Sequence, residues 1–133
     1  MNTRMTARDK TELEMAAAAR RLEPLVLARV LLREGIRRER HPAITFRDGG
    51  AGRRAALEGH RLDVWQVMET LWNSDGDVEQ AAEYLGVRQA AVRAALAYCA
   101  DYPDEVDAMV QHNRETADRA EAQFRRERQA LRR

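Results

Sequence analysis

Helical spacing of apolar and polar positions dominates most of this chain. A segment rich in Ala, Glu, Leu and Met predicts a first helix over residues 11–22, and Pro24 suits the first turn of a second helix, where the amide it lacks would be unpaired. The second helix should fray at Gly35 and end at His41-Pro42. Its apolar face is so broad that we expect it to pack against two neighbours. This face comprises Leu25, Val26, Leu27, Val30, Leu31, Leu32 and Ile36.

The pattern changes between residues 43 and 62. Ile44 and Phe46 alternate with polar residues, as in a half-buried strand, and segment 48–52 is rich in glycine. Because glycine tolerates positive φ, we expect two short strands joined by a turn, which form a β-hairpin. A phosphate-binding loop is the alternative, although no Lys-Ser/Thr pair follows the glycines.

Capping residues predict three helices in the middle of the chain. Residues 63–66 resemble a capping box, and the helix that they open should end at 73–76. Residues 77–80 repeat the pattern before a short helix that stops at Gly86, and a further helix covers about 88–101.

Nothing in the sequence breaks the helical pattern from Pro103 to Leu131. At ~1.5 Å per residue this helix would be about 40 Å long, so part of it must project from a small domain. Spacing of four and three residues picks out a weakly apolar seam, which indicates a short coiled coil or a partner-docking helix; a solvated charged helix is the alternative.

These elements predict a mainly α protein with a trihelical helix-turn-helix-like core, a small β-hairpin, two N-terminal helices and a long C-terminal helix. A chain of 133 residues suits one domain with extensions. We divide it into an N-terminal helical extension over 1–40 that could serve dimerisation, a core of hairpin and helix-turn-helix over 41–102, and a basic helix over 103–133.

Composition and charge narrow the class of protein. No apolar segment approaches the roughly 18–20 residues of a membrane span, and the first residues lack the apolar stretch of a secretion signal, so we expect a cytoplasmic protein. Lys10 is the only lysine beside many arginines, which points to a bacterial genome rich in GC. The net charge of +1 conceals an uneven distribution of charge along the chain. Residues 1–62 carry 14 basic and 8 acidic groups, residues 63–111 carry 2 basic and 10 acidic groups, and residues 112–133 carry 7 basic and 4 acidic groups.

Residues 78–96 match a helix-turn-helix at its diagnostic positions. Ala82 is small where two helices would cross, and Gly86 permits the tight turn. The apolar side that should face the preceding helix comprises Ala81, Leu85, Val87, Val92 and Leu96.

The second helix of this motif would expose Arg88, Gln89 and Arg93, which can reach phosphates or the edges of guanine and adenine in the major groove. The acidic middle of the chain should repel DNA by itself. Residues 1–62, which carry a net positive charge, form the basic front of the chain. Either this basic front, including Arg53 and Arg54, supplies the phosphate contacts, or the trihelical unit is only a packing scaffold.

Five segments of the chain carry a resemblance to a known family: PAITF (42–46), RRAALEGHRLDVW (53–65), VEQAAEYL (78–85), VRAALAY (92–98) and YPDEV (102–106). Through them, residues 41–113 resemble the bacterial domain of unknown function 433. Arg53-Arg54 stands where the family has glycine-x-proline, and His60 where it has threonine. Members are similar to antitoxins of VapBC-type systems and often lie beside genes for PIN-like ribonuclease toxins, so the resemblance implies an antitoxin-like regulator.

The resulting hypothesis is a homodimer or higher homo-oligomer that binds operator DNA and neutralises a toxin through its C-terminal helix. A PIN-type nuclease site is a carboxylate cluster, so Arg125, Arg126 or Arg128 could neutralise it, with Phe124 as an apolar anchor. The alternative is a non-DNA-binding homo-oligomeric assembly module, in which the basic front of one copy attracts the acidic middle of another.

We expect no enzymatic activity, catalytic residue, metal or cofactor, because the sequence contains no recognised catalytic or metal-binding motif. Cys99 lies in an apolar run and should be a buried small hydrophobe. Trp65 and Trp72 are expected in the core. The histidines are scattered, at His41, His60 and His112.

Overall fold

The computed structural model describes residues 4–50 and 52–132. Within these residues it confirms the predicted mainly α fold, with six helices and one antiparallel hairpin. The chain divides into two compact units, residues 1–42 and 43–133. The elements are α1 (Ala7–Ala19), α2 (Pro24–Arg40), β1 (Ile44–Gly49), β2 (Gly52–Leu57), α3 (Val64–Asn73), α4 (Val78–Leu85), α5 (Gln89–Asp101) and α6 (Pro103–Leu131).

The N-terminal unit is a helical hairpin in which α1 packs against α2. Thr6 caps α1, because its hydroxyl oxygen accepts a hydrogen bond of 3.1 Å from the Asp9 amide. Pro24 lies in the first turn of α2, as predicted. The predicted fraying at Gly35 is wrong, since α2 continues without a break to Arg40.

We expected α2 to pack against two neighbours, but within this unit it packs against one, α1. Leu27 is fully buried, whereas Leu25, Leu32 and Ile36 are 62%, 67% and 56% exposed. One apolar side of the helix therefore packs inward, and a second apolar side faces solvent.

The predicted β-hairpin is confirmed. Its register pairs Ile44 with Leu57 at the open end and Gly49 with Gly52 beside the turn. The missing side chain of Gly49 matters, because a Cβ there would lie 2.2 Å from Nη1 of Arg54. Glycine at this position lets the Arg54 side chain lie across the strand.

Helices α3, α4 and α5 pack into the predicted trihelical unit. Each boundary follows from local chemistry: the Asp63 amide donates to Gln66 Oε1 at 2.8 Å, the Gln80 amide donates to Asp77 Oδ1 at 3.1 Å, and Gly86 adopts the left-handed conformation with φ of 69°. The buried core of the three helices comprises Val64, Val67, Met68, Leu71, Ala81, Ala82, Val92, Ala95, Tyr98 and Cys99.

Two apolar residues that we expected on the inner side lie outside. Leu96 is 41% exposed, because Val92, Ala95 and Cys99 already occupy the inner stripe of α5. Trp72 is 44% exposed at the end of α3, while Trp65 packs partly buried against the core. The sequence placed both residues on helices correctly but assigned them to the wrong side.

Helix α6 changes character along its length. Its first half packs against α3 and α5 through the buried Val106 and Val110, and Tyr98 of α5 donates a hydrogen bond of 2.5 Å to Glu105. Beyond Asn113 its residues are exposed apart from Ala122, so the C-terminal half projects as predicted. None of the helices in the described part of the chain combines the length and apolarity needed to cross a bilayer.

A buried carboxylate ties the hairpin to the helices. Asp63 is 7% exposed, and its Oδ2 lies 2.8 Å from Nε of Arg54 in β2. The same oxygen accepts a hydrogen bond of 3.1 Å from the Trp65 indole, and Arg54 also donates to the Asp48 carbonyl at 3.1 Å. The Asp63 side chain thus joins β2 to the start of α3, and the Arg54 side chain extends this connection to β1.

Replacing Asp63→Asn should lower the free energy of unfolding by about 2 kcal/mol, because it leaves the half-buried Arg54 guanidinium without its counter-charge. Urea denaturation followed by circular dichroism measures this change. The matched control is Asp48→Asn, which removes the exposed 3.1 Å ion pair with Arg53 and should cost less than about 0.5 kcal/mol. Equal losses in the two variants would show that Asp63 has no special role.

Candidate nucleic-acid interface

The outward side of α5 is the candidate interface. Val92, Ala95 and Tyr98 point into the core, so the opposite side of the helix faces solvent. The turn at Gly86 sets the direction in which α5 leaves α4, and thereby presents the N-terminal end of α5 at the surface. The exposed residues of this side are Gln89, Ala90, Arg93, Leu96, Ala97, Ala100 and Asp101.

The three residues predicted to contact DNA lie together at the start of α5. Arg88 is the N-cap residue, Gln89 opens the helix, and Arg93 Nη2 donates to Gln89 Oε1 at 3.3 Å. All three are exposed. Their donors and acceptors are therefore available to a molecule outside the chain.

The local charge on α5 differs from the charge of the segment around it. Residues 63–111 carry a net charge of −8, yet α5 contains no carboxylate before Asp101 and none in its first turn. Backbone amides give the N-terminus of a helix a partial positive charge, to which Arg88 and Arg93 add. The last acidic groups before α5 in the sequence, Glu79 and Glu83, are exposed on α4.

Apart from Leu96 and Asp101, the remainder of the outward side of α5 consists of small residues. Ala90, Ala97 and Ala100 carry only a methyl group beyond the backbone, so a partner can approach the helix closely. Alanine can also make an apolar contact with the thymine methyl group. Gln89 and Arg93, the two long side chains with hydrogen-bonding groups near the start of this side, can therefore reach a partner without hindrance from the alanines.

The hairpin arginines, of which Arg53 and Arg54 were predicted to contact DNA, make contacts within the chain. Arg54 is held by Asp63 and by the Asp48 carbonyl, and Arg53 Nη1 lies 3.1 Å from Oδ1 of Asp48. Arg47 donates to the carbonyls of Leu57 and His60. These guanidinium groups hold the hairpin together, and the sequence could not reveal this because the acceptors lie across the turn or beyond the second strand.

Tyr84 is an exposed aromatic residue that the sequence analysis missed. It lies on α4 and is 81% exposed. Its phenol can donate a hydrogen bond to a phosphate oxygen, as tyrosine does in many protein–DNA interfaces. Helical spacing would have revealed it, because Ala81 and Leu85 take the inner side of α4 and leave Tyr84 outside.

The four residues predicted to contact a toxin lie on the projecting half of α6. Phe124 is 57% exposed, and the guanidinium carbon of Arg128 is 5.9 Å from the centre of its ring. Arg125 pairs with Glu121, and Arg126 donates to Gln123 at 2.6 Å. These contacts join neighbouring turns of one exposed helix, so the segment is accessible to a partner.

Metal binding and thiol chemistry are two further activities that side chains could support. Within residues 4–50 and 52–132, no three His, Cys, Asp or Glu side chains lie close enough to hold a metal ion. Cys99 is 8% exposed, as expected for a small core residue. Burial, with a smaller contribution from the carboxylate of Asp107, raises the pKa of its thiol and disfavours the thiolate.

Comparison with known proteins adds no assignment to this geometry. Models of protein families, curated proteins and solved structures were compared with the chain, and none of them matches it.

Proposed function

We propose that this protein is a DNA-binding regulator that uses α5 as the recognition helix of a helix-turn-helix. The observation that carries the proposal is the solvent-facing start of α5, where Arg88, Gln89 and Arg93 are exposed and the helix has no carboxylate before Asp101. Such a helix fits the major groove with its N-terminal residues toward the base edges.

The chemistry assigns a different task to each of these side chains. An amide can bind the N6 and N7 positions of adenine, and a guanidinium the O6 and N7 positions of guanine, so Gln89 and Arg93 read bases. Their mutual 3.3 Å hydrogen bond is exchanged for contacts with DNA. Arg88, beside the positive end of the helix, binds a backbone phosphate.

Electrostatics limits the affinity of one copy. Most DNA affinity comes from counterions that basic groups release, and the acidic residues of α4 oppose it. The arginines of the hairpin are engaged in internal contacts. A single copy should therefore bind weakly, and tight operator binding requires two copies on adjacent half-sites.

The resemblance to the domain of unknown function 433 supports an antitoxin-like role for this regulator. In that role the projecting half of α6 docks on a PIN-like ribonuclease, with Phe124 as its apolar anchor. Arg125, Arg126 and Arg128 then neutralise the carboxylates of the nuclease. The exposure of all of these residues supports the proposal.

DNA binding can be tested by fluorescence anisotropy with the DNA upstream of the gene. Gln89→Ala and Arg93→Ala should each weaken binding about 5- to 150-fold, because each removes a contact to a base edge. Arg88→Ala should weaken binding to all sequences alike and reduce the slope of log affinity against log salt by about 1.

The matched control for these variants is Arg119→Ala, which removes an exposed arginine from α6 and should leave affinity unchanged. If the wild-type chain shows no binding even at low salt, the DNA-binding proposal fails. The non-DNA-binding homo-oligomeric module, which the exposed apolar side of α2 favours, then takes its place.

Toxin binding is tested by co-purification with a PIN-like nuclease encoded beside this gene. The triple variant Arg125→Glu, Arg126→Glu and Arg128→Glu should abolish binding, since it places carboxylates against the carboxylate cluster of the nuclease. Circular dichroism should remain unchanged, because none of these residues contributes to the buried core. Undiminished binding by the triple variant would exclude these arginines from the interface.

A further inference from the structure

Helix α2 has two apolar sides, of which the N-terminal unit buries one. Leu27 on the first side is fully buried, and Glu34 on the same side is 8% exposed. On the second side Leu32 is 67% exposed and Ile36 is 56% exposed. Exposed leucine and isoleucine at helical spacing indicate a surface that binds a partner, because removing apolar surface from water is favourable.

The second side forms a short heptad-like stripe. Arg29, Leu32, Ile36 and Glu39 follow one another at intervals of three, four and three residues, so they lie in one row along the helix. All four are exposed. We call this row the α2 seam; it begins with a cation, continues with two apolar residues and ends with an anion.

This order makes the α2 seam complementary to itself when reversed. In an antiparallel pair, Arg29 lies opposite the partner's Glu39, and Leu32 lies opposite the partner's Ile36. Two-fold symmetry repeats both contacts, so four layers form with an ion pair at each end. A parallel pair would instead place Arg29 against the partner's Arg29, which is repulsive.

We propose that two copies of this chain associate through the α2 seam in an antiparallel arrangement. Neither Arg29 nor Glu39 has an ion pair within the residues that the structure describes, so both are available for the contact. In the dimer, α2 lies between α1 and the α2 of the partner, which accounts for the breadth of its apolar surface.

The dimer does not depend on DNA binding. If α5 does bind DNA, an isologous dimer also supplies the two recognition helices that paired half-sites require. The seam is therefore tested without DNA, and failure of one proposal leaves the other standing.

The test is sedimentation equilibrium of the full-length chain from about 1 to 200 μM, a range that covers weak dimers. The wild-type chain should dimerise. Arg29→Glu and Glu39→Arg should each weaken the dimer at least about tenfold, because each change puts like charges opposite one another at both ends of the seam.

The two single variants should restore each other. When they are mixed, a chain with Glu at 29 and 39 meets a chain with Arg at both positions, and a heterodimer of about wild-type affinity should form. The double variant with both changes should dimerise by itself. Arg119→Glu, a charge reversal at an exposed position of α6, is the matched control and should retain the dimer.

Two outcomes would overturn the proposal. A wild-type chain that stays monomeric over the whole range shows that the seam does not bind a second copy. Single charge reversals that dimerise as tightly as the wild type show that the copies associate through another surface. Circular dichroism of each variant confirms that α2 remains helical.

Discussion

A single buried carboxylate organises the junction on which the C-terminal unit depends. Asp63 precedes α3, takes part in its capping box, pairs with Arg54 of β2 and accepts the indole hydrogen of Trp65. A buried charge is stable only when it is paired and hydrogen-bonded, and here the partners come from β2 and from the first turn of α3. The hairpin consequently sits against the trihelical unit in one orientation.

The hairpin also supports α5, the proposed recognition helix, indirectly. Phe46 of β1 meets Tyr98 of α5 in an edge-to-face contact, with 6.2 Å between the ring centres. Tyr98 is fully buried and also bonds Glu105 of α6. With its inner side held by strand, helix and core, α5 can present a fixed outer side, which is the requirement for reading bases with two side chains.

The surfaces left over by these contacts are of two kinds. The start of α5 and the end of α6 expose charged and polar groups, whereas the second side of α2 exposes leucine and isoleucine between two opposite charges. Polar side chains can remain solvated, so their exposure costs little. The apolar seam of α2 is different, because its exposure to water is unfavourable and favours association.

Periodicity and capping residues alone determined the number and order of the helices, the hairpin and most boundaries, because these depend on contacts within a few residues. The sequence also placed Arg88, Gln89 and Arg93 correctly on an exposed helix start. Only the tertiary structure decided that Arg54 would bind Asp63, that Leu96 would lie outside and that α2 would keep an exposed side. These outcomes depend on which residues pack beside each side chain, and those residues belong to elements that are distant along the chain.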